Sequence, residues 1–364
     1  MLLNIISICV YTFLFFIFSY YTIKIIFHDK FHNVQYIIKI SKILVLILIF
    51  LAGFRSKTGT DFDSYIGIWS GIKPIYLFFQ SDFGYSSLEP GFLFFTSFLR
   101  MLSHSEFLFL FCMSAISIIP VYLGLKKINI LYVVPGLFLF LLIFYVPYVF
   151  NGMRQAVAMG LYIYSLYDII NNKKKNIFLL TMLAVSFHSS GIIIFLSFLV
   201  YNFKINFNLN LIIGLFAIFM LKTFLSLQFV FEKLGFNMYY LESLDKTTSV
   251  FQILTRIFVL LVLLFFHHLI VSKTDNKIIF INFLKVYLIG LFIYLYFLDL
   301  NTFATRINMF FRILEIILFP IILVSSKNNS NKTFIFSIVL ILGIFIYIST
   351  LSNPDNIYHF NIPF

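Results

Sequence analysis

The chain has 364 residues, of which 61% are apolar and only 11% charged, with a mean hydropathy of +1.01. Soluble domains run at roughly 45–50% apolar and about 25% charged, and no soluble interior hides this much Phe, Ile and Leu, so a water-soluble fold is excluded. The net charge of +12 is spread as short basic clusters between apolar runs, which suits loops facing anionic lipid and not a nucleic-acid groove.

A crossing helix needs about 20 apolar residues. In chain order the sequence predicts crossings at 3–27, 36–54, 106–125, 130–150, 152–170, 207–231, 250–272, 278–298, 306–325 and 332–352. The opening MLLNIIS lacks the basic run of a cleavable signal, so the first helix is expected to remain as an anchor. Cys9 and Cys112 fall in separate apolar segments and point to neither a disulfide framework nor a metal knuckle. Two apolar stretches are not plain crossings. The run 90–102 is short, and 177–200 carries His188-Ser189-Ser190-Gly191 near its middle. The expected fold is therefore all-α, a polytopic integral membrane protein of about 10–12 transmembrane or re-entrant helices. It reads as a single transmembrane domain, 1–364, with external loops at about 55–89 and 232–250.

Orientation follows from the basic loops, which favour the cytoplasm. Lys24, Lys30, Lys39 and Lys42 place the first link inside and the N-terminus outside. Lys126-Lys127, Lys173-Lys174-Lys175, Lys204, Lys273 with Lys277, and Lys327 with Lys332 also read as cytoplasmic. If all of them are, 90–102 lies in the interface or dips and returns, and 177–200 breaks near His188 and leaves on the side it entered. The alternative is an ordinary helix at 177–200 and one loop that disobeys the charge rule. With the first threading, all six arginines (Arg55, Arg100, Arg154, Arg256, Arg306, Arg312) gather in or near external parts, and the cytoplasmic loops use lysine alone. Guanidinium holds phosphate oxygens bidentately, so the external face is the candidate site of chemistry.

Four constellations stand out. Arg55-Ser-Lys-Thr-Gly-Thr-Asp61-Phe-Asp63-Ser-Tyr65 leaves the second helix as an external loop. Arg55 or Lys57 could meet a phosphate there and Asp61 or Asp63 a proton or sugar hydroxyl, or the run is only interfacial charge and a turn. Asn151-Gly152-Met153-Arg154-Gln155 opens an apolar helix. Its free amides and Arg154 suit an anion, although a lone arginine at a helix end usually snorkels to the interface. His188 at membrane depth is a functional candidate or a helix-packing hydrogen bond. Arg306 precedes Arg312 and Glu315, which at i, i+3 can neutralise each other and leave Arg306 the better phosphate ligand. His267-His268 does not read as a metal pair, because adjacent helical residues point apart.

Arg55…Gly59-Thr60-Asp61…Tyr65, Glu89-Pro90-Gly91-Phe92, Arg154-Gln155 opening a helix, the lysine turn 173–175, Ala184…Phe187-His188-Ser189 and Arg306 before Pro320 occur in this order. The ordered set, over about residues 50–325, resembles the EpsG family of Wzy-type polysaccharide polymerases. That resemblance implies an undecaprenyl-pyrophosphate-linked oligosaccharide as donor and acceptor, delivered to the external leaflet of the bacterial inner membrane, and a fold shared with O-antigen ligases. The product would be an O-antigen, capsule or exopolysaccharide, and a chain-length regulator is a further expected partner, with no nucleic acid. The donor is already activated, so no cofactor is expected and a metal-independent glycosyltransferase follows. Under this reading Arg154, Arg306 and Arg55, with Gln155, Tyr65 and Glu89, bind pyrophosphate and sugar, and His188 or Asp61 serves the acceptor. Three rivals remain at this stage: an O-antigen ligase, a flippase or transporter, and a membrane O-acyltransferase using His267.

Overall fold

A computed structural model describes residues 2–80, 88–203, 214, 217, 250–269, 274–298 and 301–360. The chain divides into two compact units, Met1–Leu196 with Glu315–Phe364, and Ser197–Leu314. The protein is an all-α polytopic membrane protein. Among the described residues seven helices are long and apolar enough to cross a bilayer, over Ile5–Phe27, Val34–Gly53, Glu106–Ile128, Ile130–Asn151, Lys277–Tyr296, Phe303–Ser325 and Asn329–Leu351. These fall on seven of the expected crossings. The expected crossing at 207–231 and the loop 232–250 lie almost wholly outside the described residues.

The first unit begins with α1 (Leu2–Phe27) and α2 (Val34–Gly53). Asn33 caps α2, its Oδ1 accepting from the Gln35 and Tyr36 amides at 2.9 and 3.2 Å. A short strand β1 (Arg55–Ser56), α3 (Phe62–Gly71) and α4 (Pro90–Leu102) follow, then α5 (Glu106–Ile128). At 13 residues, α4 rises about 20 Å and cannot span a bilayer, which agrees with its short apolar run. Helix α6 (Val133–Phe140) continues as a π-helix over Leu141–Asn151. Neither α7 (Met153–Ile170) nor α8 (Lys174–Phe187) is among the seven long apolar spans. The expected break in 177–200 is present: α8 ends at Phe187, His188 is extended (φ −160°, ψ 130°), and α9 (Ile193–Asn202) starts after a 3-10 turn.

The second unit contains α10 (Val250–Leu269), α11 (Lys277–Tyr296) and α12 (Asn301–Arg312). The expected helix 306–325 is interrupted, because α12 stops at Arg312 and α13 (Glu315–Ser325) starts after a turn. Helix α14 (Asn329–Leu351) and strand β2 (His359–Phe360) complete the first unit.

Within the first unit, contacts fix which helix ends lie together. Phe54 and Phe107 rings lie 4.6 Å apart, so the end of α2 meets the start of α5. The backbone of Ser117 backs onto Gly160, and Lys127 sits 3.4 Å over the Tyr164 ring, so α7 runs along α5 in the same direction. Lys332 Nζ donates to Ile26 O at 2.9 Å, joining the end of α1 to the start of α14. One end of this bundle therefore gathers Lys24, Lys30, Lys126, Lys127, Lys173, Lys174, Lys175 and Lys332. The other end carries Arg55 and Arg154. The segregation read from the sequence is a spatial one in this unit.

Candidate active site

Two helix starts and one helix cap meet at the arginine end. Helix α7 begins at Gly152, whose position as N-cap brings no side-chain hydrogen bond to the first-turn amides. The preceding π-helix closes on Gly152, whose N–H donates to Pro147 O at 3.3 Å, an i to i−5 bond. That wider winding is rare in proteins, and single π turns are frequent at functional sites. Helix α4 begins at Pro90, with Glu89 as its N-cap and proline in its first turn, where a missing N–H costs nothing. Gly91 is needed for this approach. A Cβ there would sit 2.7 Å from the Ser186 carbonyl oxygen, two residues before His188.

These constraints bring Glu89 to Arg154. The carboxylate Oε2 accepts from Arg154 Nη1 as a salt bridge, with the two side chains 19% and 25% exposed, so the pair sits at the edge of solvent and not in it. Tyr65 on α3 interacts with both the guanidinium and the backbone N–H of Arg154. Burial raises the Tyr65 phenol above its ordinary value, against the pull of Arg154 and with a smaller push from Asp61. Phe92 forms the floor: its ring lies 5.8 Å from Arg154 Cζ and 6.1 Å, edge-on, from Tyr65. Arg154 Nε is buried with no hydrogen-bond partner. The structure thus joins Tyr65, Glu89 and Arg154 into one cluster, from three segments far apart in sequence, and Asp61 lies one helical turn before Tyr65.

The other candidates sit differently. Arg55 was expected among the phosphate ligands, but its side chain is fully buried. Nη1 donates to Ala52 O at 2.7 Å, Nη2 reaches Phe150 O at 3.3 Å and Met153 Sδ at 3.1 Å, and the guanidinium stacks 4.7 Å over Phe150. Burial lowers this arginine to about 10. Its geometry is that of an anchor beneath the start of α7. Gln155 is buried one residue after Arg154. Asp61 Oδ1 accepts from the Thr60 hydroxyl at 3.2 Å. His188 is half-buried, and its Nδ1 accepts from the Ser190 amide at 3.2 Å. That bond places the proton of the neutral ring on Nε2. Arg306 is exposed on α12 of the second unit.

Sequence reasoning placed Asn151 in the motif that opens α7 but gave it no role of its own; its Oδ1 accepts from the Thr60 amide at 2.9 Å. That reasoning assigned no role to the residues after α14.

The fold and this polar cluster define a class: a multi-pass membrane protein with an arginine–carboxylate site at one end of its bundle. The chain matches the EpsG family over residues 38–364, and it belongs to that family, a Wzy-type polymerase-like one. Membership supports a polysaccharide polymerase-like function in general terms. No curated protein and no solved structure matches the chain.

Proposed function

We propose that this protein polymerises lipid-linked polysaccharide repeat units on the external face of the bacterial inner membrane. The growing glycan passes from undecaprenyl pyrophosphate to the next lipid-linked unit. The observation that carries the reading is the Arg154–Glu89–Tyr65 cluster at the start of α7. It combines the two groups that such a transfer requires, a cation for the leaving pyrophosphate and a carboxylate for the acceptor proton.

The chemistry runs as an exchange of partners. The incoming pyrophosphate competes with Glu89 for the Arg154 fork. Arg154 turns to the phosphate oxygens, with the Tyr65 hydroxyl as a further donor beside it, and His188 lies at the same end of the unit. Glu89, relieved of its cation beside a new anion, becomes the stronger base. An acceptor hydroxyl oxygen then attacks the anomeric carbon of the donor sugar. The bond from that carbon to the phosphate oxygen breaks, its electron pair leaves with the pyrophosphate, and the hydroxyl proton goes to Glu89, with Asp61 as the second carboxylate in reach of the cluster. Arg306 is assigned to the lipid-linked substrate on its charge and exposure, and Arg55 to the architecture beneath Arg154.

A ligase would use the same donor but a different acceptor, and the difference is measurable. Deleting the gene should abolish the polymer while single-repeat product remains, because attaching one unit needs no polymerase. Loss of both products would point to ligation or export and would refute polymerisation.

A further inference from the structure

Resting on the polymerase reading, we infer that residues 353–360, the segment after α14, act as a strap that positions Asp61 and Tyr65 against Arg154, with Thr58, Asn151 and Asn356 as its positioning residues. The observations come from backbone strain, burial and hydrogen bonding together. The loop between β1 and α3 holds two residues in the left-handed region, Lys57 (φ 45°) and Gly59 (φ 109°). Glycine takes such a φ freely, but at Lys57, which carries a side chain, it persists only where surrounding contacts over-determine it.

The strap supplies those contacts. Strand β2 pairs antiparallel with β1, Arg55 opposite Phe360 and Ser56 opposite His359. The Gly59 N–H donates to Asp355 O at 2.6 Å. The fully buried Thr58 hydroxyl donates to Ser56 O at 2.8 Å, lies 3.2 Å from Ile357 O, and accepts from the His359 N–H at 3.0 Å. A Cβ on Gly59 would lie 2.5 Å from Asn151 Oδ1, so that oxygen packs directly against the loop. The Asn151 Nδ2 faces Asn356 Oδ1 at 3.5 Å, and Asn356, 3% exposed, donates from Nδ2 to Thr350 O at 2.8 Å. The strap is itself fixed. The Tyr358 hydroxyl donates to Leu51 O at 2.6 Å, its N–H donates to Ser7 Oγ at 2.9 Å, and the Tyr11 hydroxyl donates to Asn356 O at 2.9 Å.

The consequence is geometric. Asn151 closes the π-helix one residue before Gly152, and Thr60 precedes Asp61. The Asn151–Thr60 bond therefore ties the start of α7, with Arg154, to the start of α3, with Asp61 and Tyr65. The strap holds the Asn151 amide and the strained loop from the far side. Thr58, Asn151 and Asn356 touch no reacting group; they set where the groups that do are held.

The test uses the full chain with Thr58→Val, which keeps shape and loses the hydroxyl, and Thr58→Ser, which keeps the hydroxyl. Amide hydrogen exchange over residues 55–66 and 151–156 is read first, since it needs no assumption about the reaction. Thr58→Val should speed exchange in both segments and Thr58→Ser should not. Polymer formed per folded protein should fall about tenfold in Thr58→Val, through turnover and not through the KM for the lipid-linked unit. The serine variant should restore it, and Thr58→Val combined with Tyr65→Phe should cost less than the product of the two separate losses. Unchanged exchange in Thr58→Val, or a fully multiplicative double variant, overturns the strap. Faster exchange in a chain whose wild type forms no polymer leaves the strap standing and removes the polymerase reading.

Discussion

Arg154→Lys separates charge from geometry at the centre of the proposed site. The wild-type guanidinium presents Nη1 to Glu89, keeps Nε buried without a partner, and remains one-quarter exposed toward any arriving anion. A lysine ammonium keeps the charge as a compact point with three rotatable donors, but it lacks the planar fork that meets two phosphate oxygens bidentately. It can contact Glu89 and a phosphate oxygen, but not with the two parallel, preorganised N–H bonds of the guanidinium. Removing one preorganised donor from a developing negative charge costs about 2.7–4 kcal/mol, or roughly 10²–10³ in turnover. Arg154→Lys should therefore lose about 10²-fold and Arg154→Ala about 10³-fold. The assay is polymer ladder formation in membranes with matched amounts of folded protein and a chelator as control, since the proposed mechanism uses side chains alone. Wild-type rates for Arg154→Ala at matched protein would refute the anion-site reasoning.

Three further outcomes follow from neighbouring residues. Glu89→Gln keeps the shape of the α4 cap but removes the proton acceptor, so turnover should fall at least tenfold while binding of the lipid-linked unit is kept or tightened; weaker binding would show that Glu89 holds the sugar instead. Arg55→Met should lower the amount and thermal midpoint of the folded protein, because it strands the Ala52 and Phe150 carbonyls at about 1–3 kcal/mol each. Normal abundance with lost activity would return Arg55 to the ligand set. Cysteines placed at the exposed positions Ser64, Asn172 and Asn328 should label from outside at the first and from inside at the other two; outside labelling at Asn172 would break the lysine-side assignment.

The parts of this fold legible in the sequence are those where burying the wrong group is expensive. Apolar runs near bilayer length mark helices because a lipid-exposed backbone has no other solution, and seven of the expected crossings are found as such spans. The break at His188 could be read from the parity of the lysine loops, since charge bias acts on whole connections and is insensitive to local conformation. Arg154 stood out as a charge opening an apolar helix and Glu89 entered through the family resemblance, and the structure pairs them. Arg55 was legible as a charge at a helix end but not as a buried one, because its partners are mainly carbonyls, which every residue possesses and no sequence advertises. The strap was invisible for the same reason. Most of its bonds have a backbone group on at least one side, and Asn356 and Tyr358 look like ordinary loop residues until residues about 300 positions away are placed beside them. The π-winding of 141–151 has no periodic signature in a segment that is apolar all round.

The measurement that bears most directly on the central claim is reconstitution. The purified chain, placed in proteoliposomes with a single lipid-linked repeat unit and no nucleotide sugar, should produce a ladder of glycans on lipid. One undecaprenyl pyrophosphate should be released for each bond formed, and Arg154→Ala should give no ladder. Release of lipid pyrophosphate without elongation, or elongation that requires an added nucleotide-activated sugar, would contradict the account.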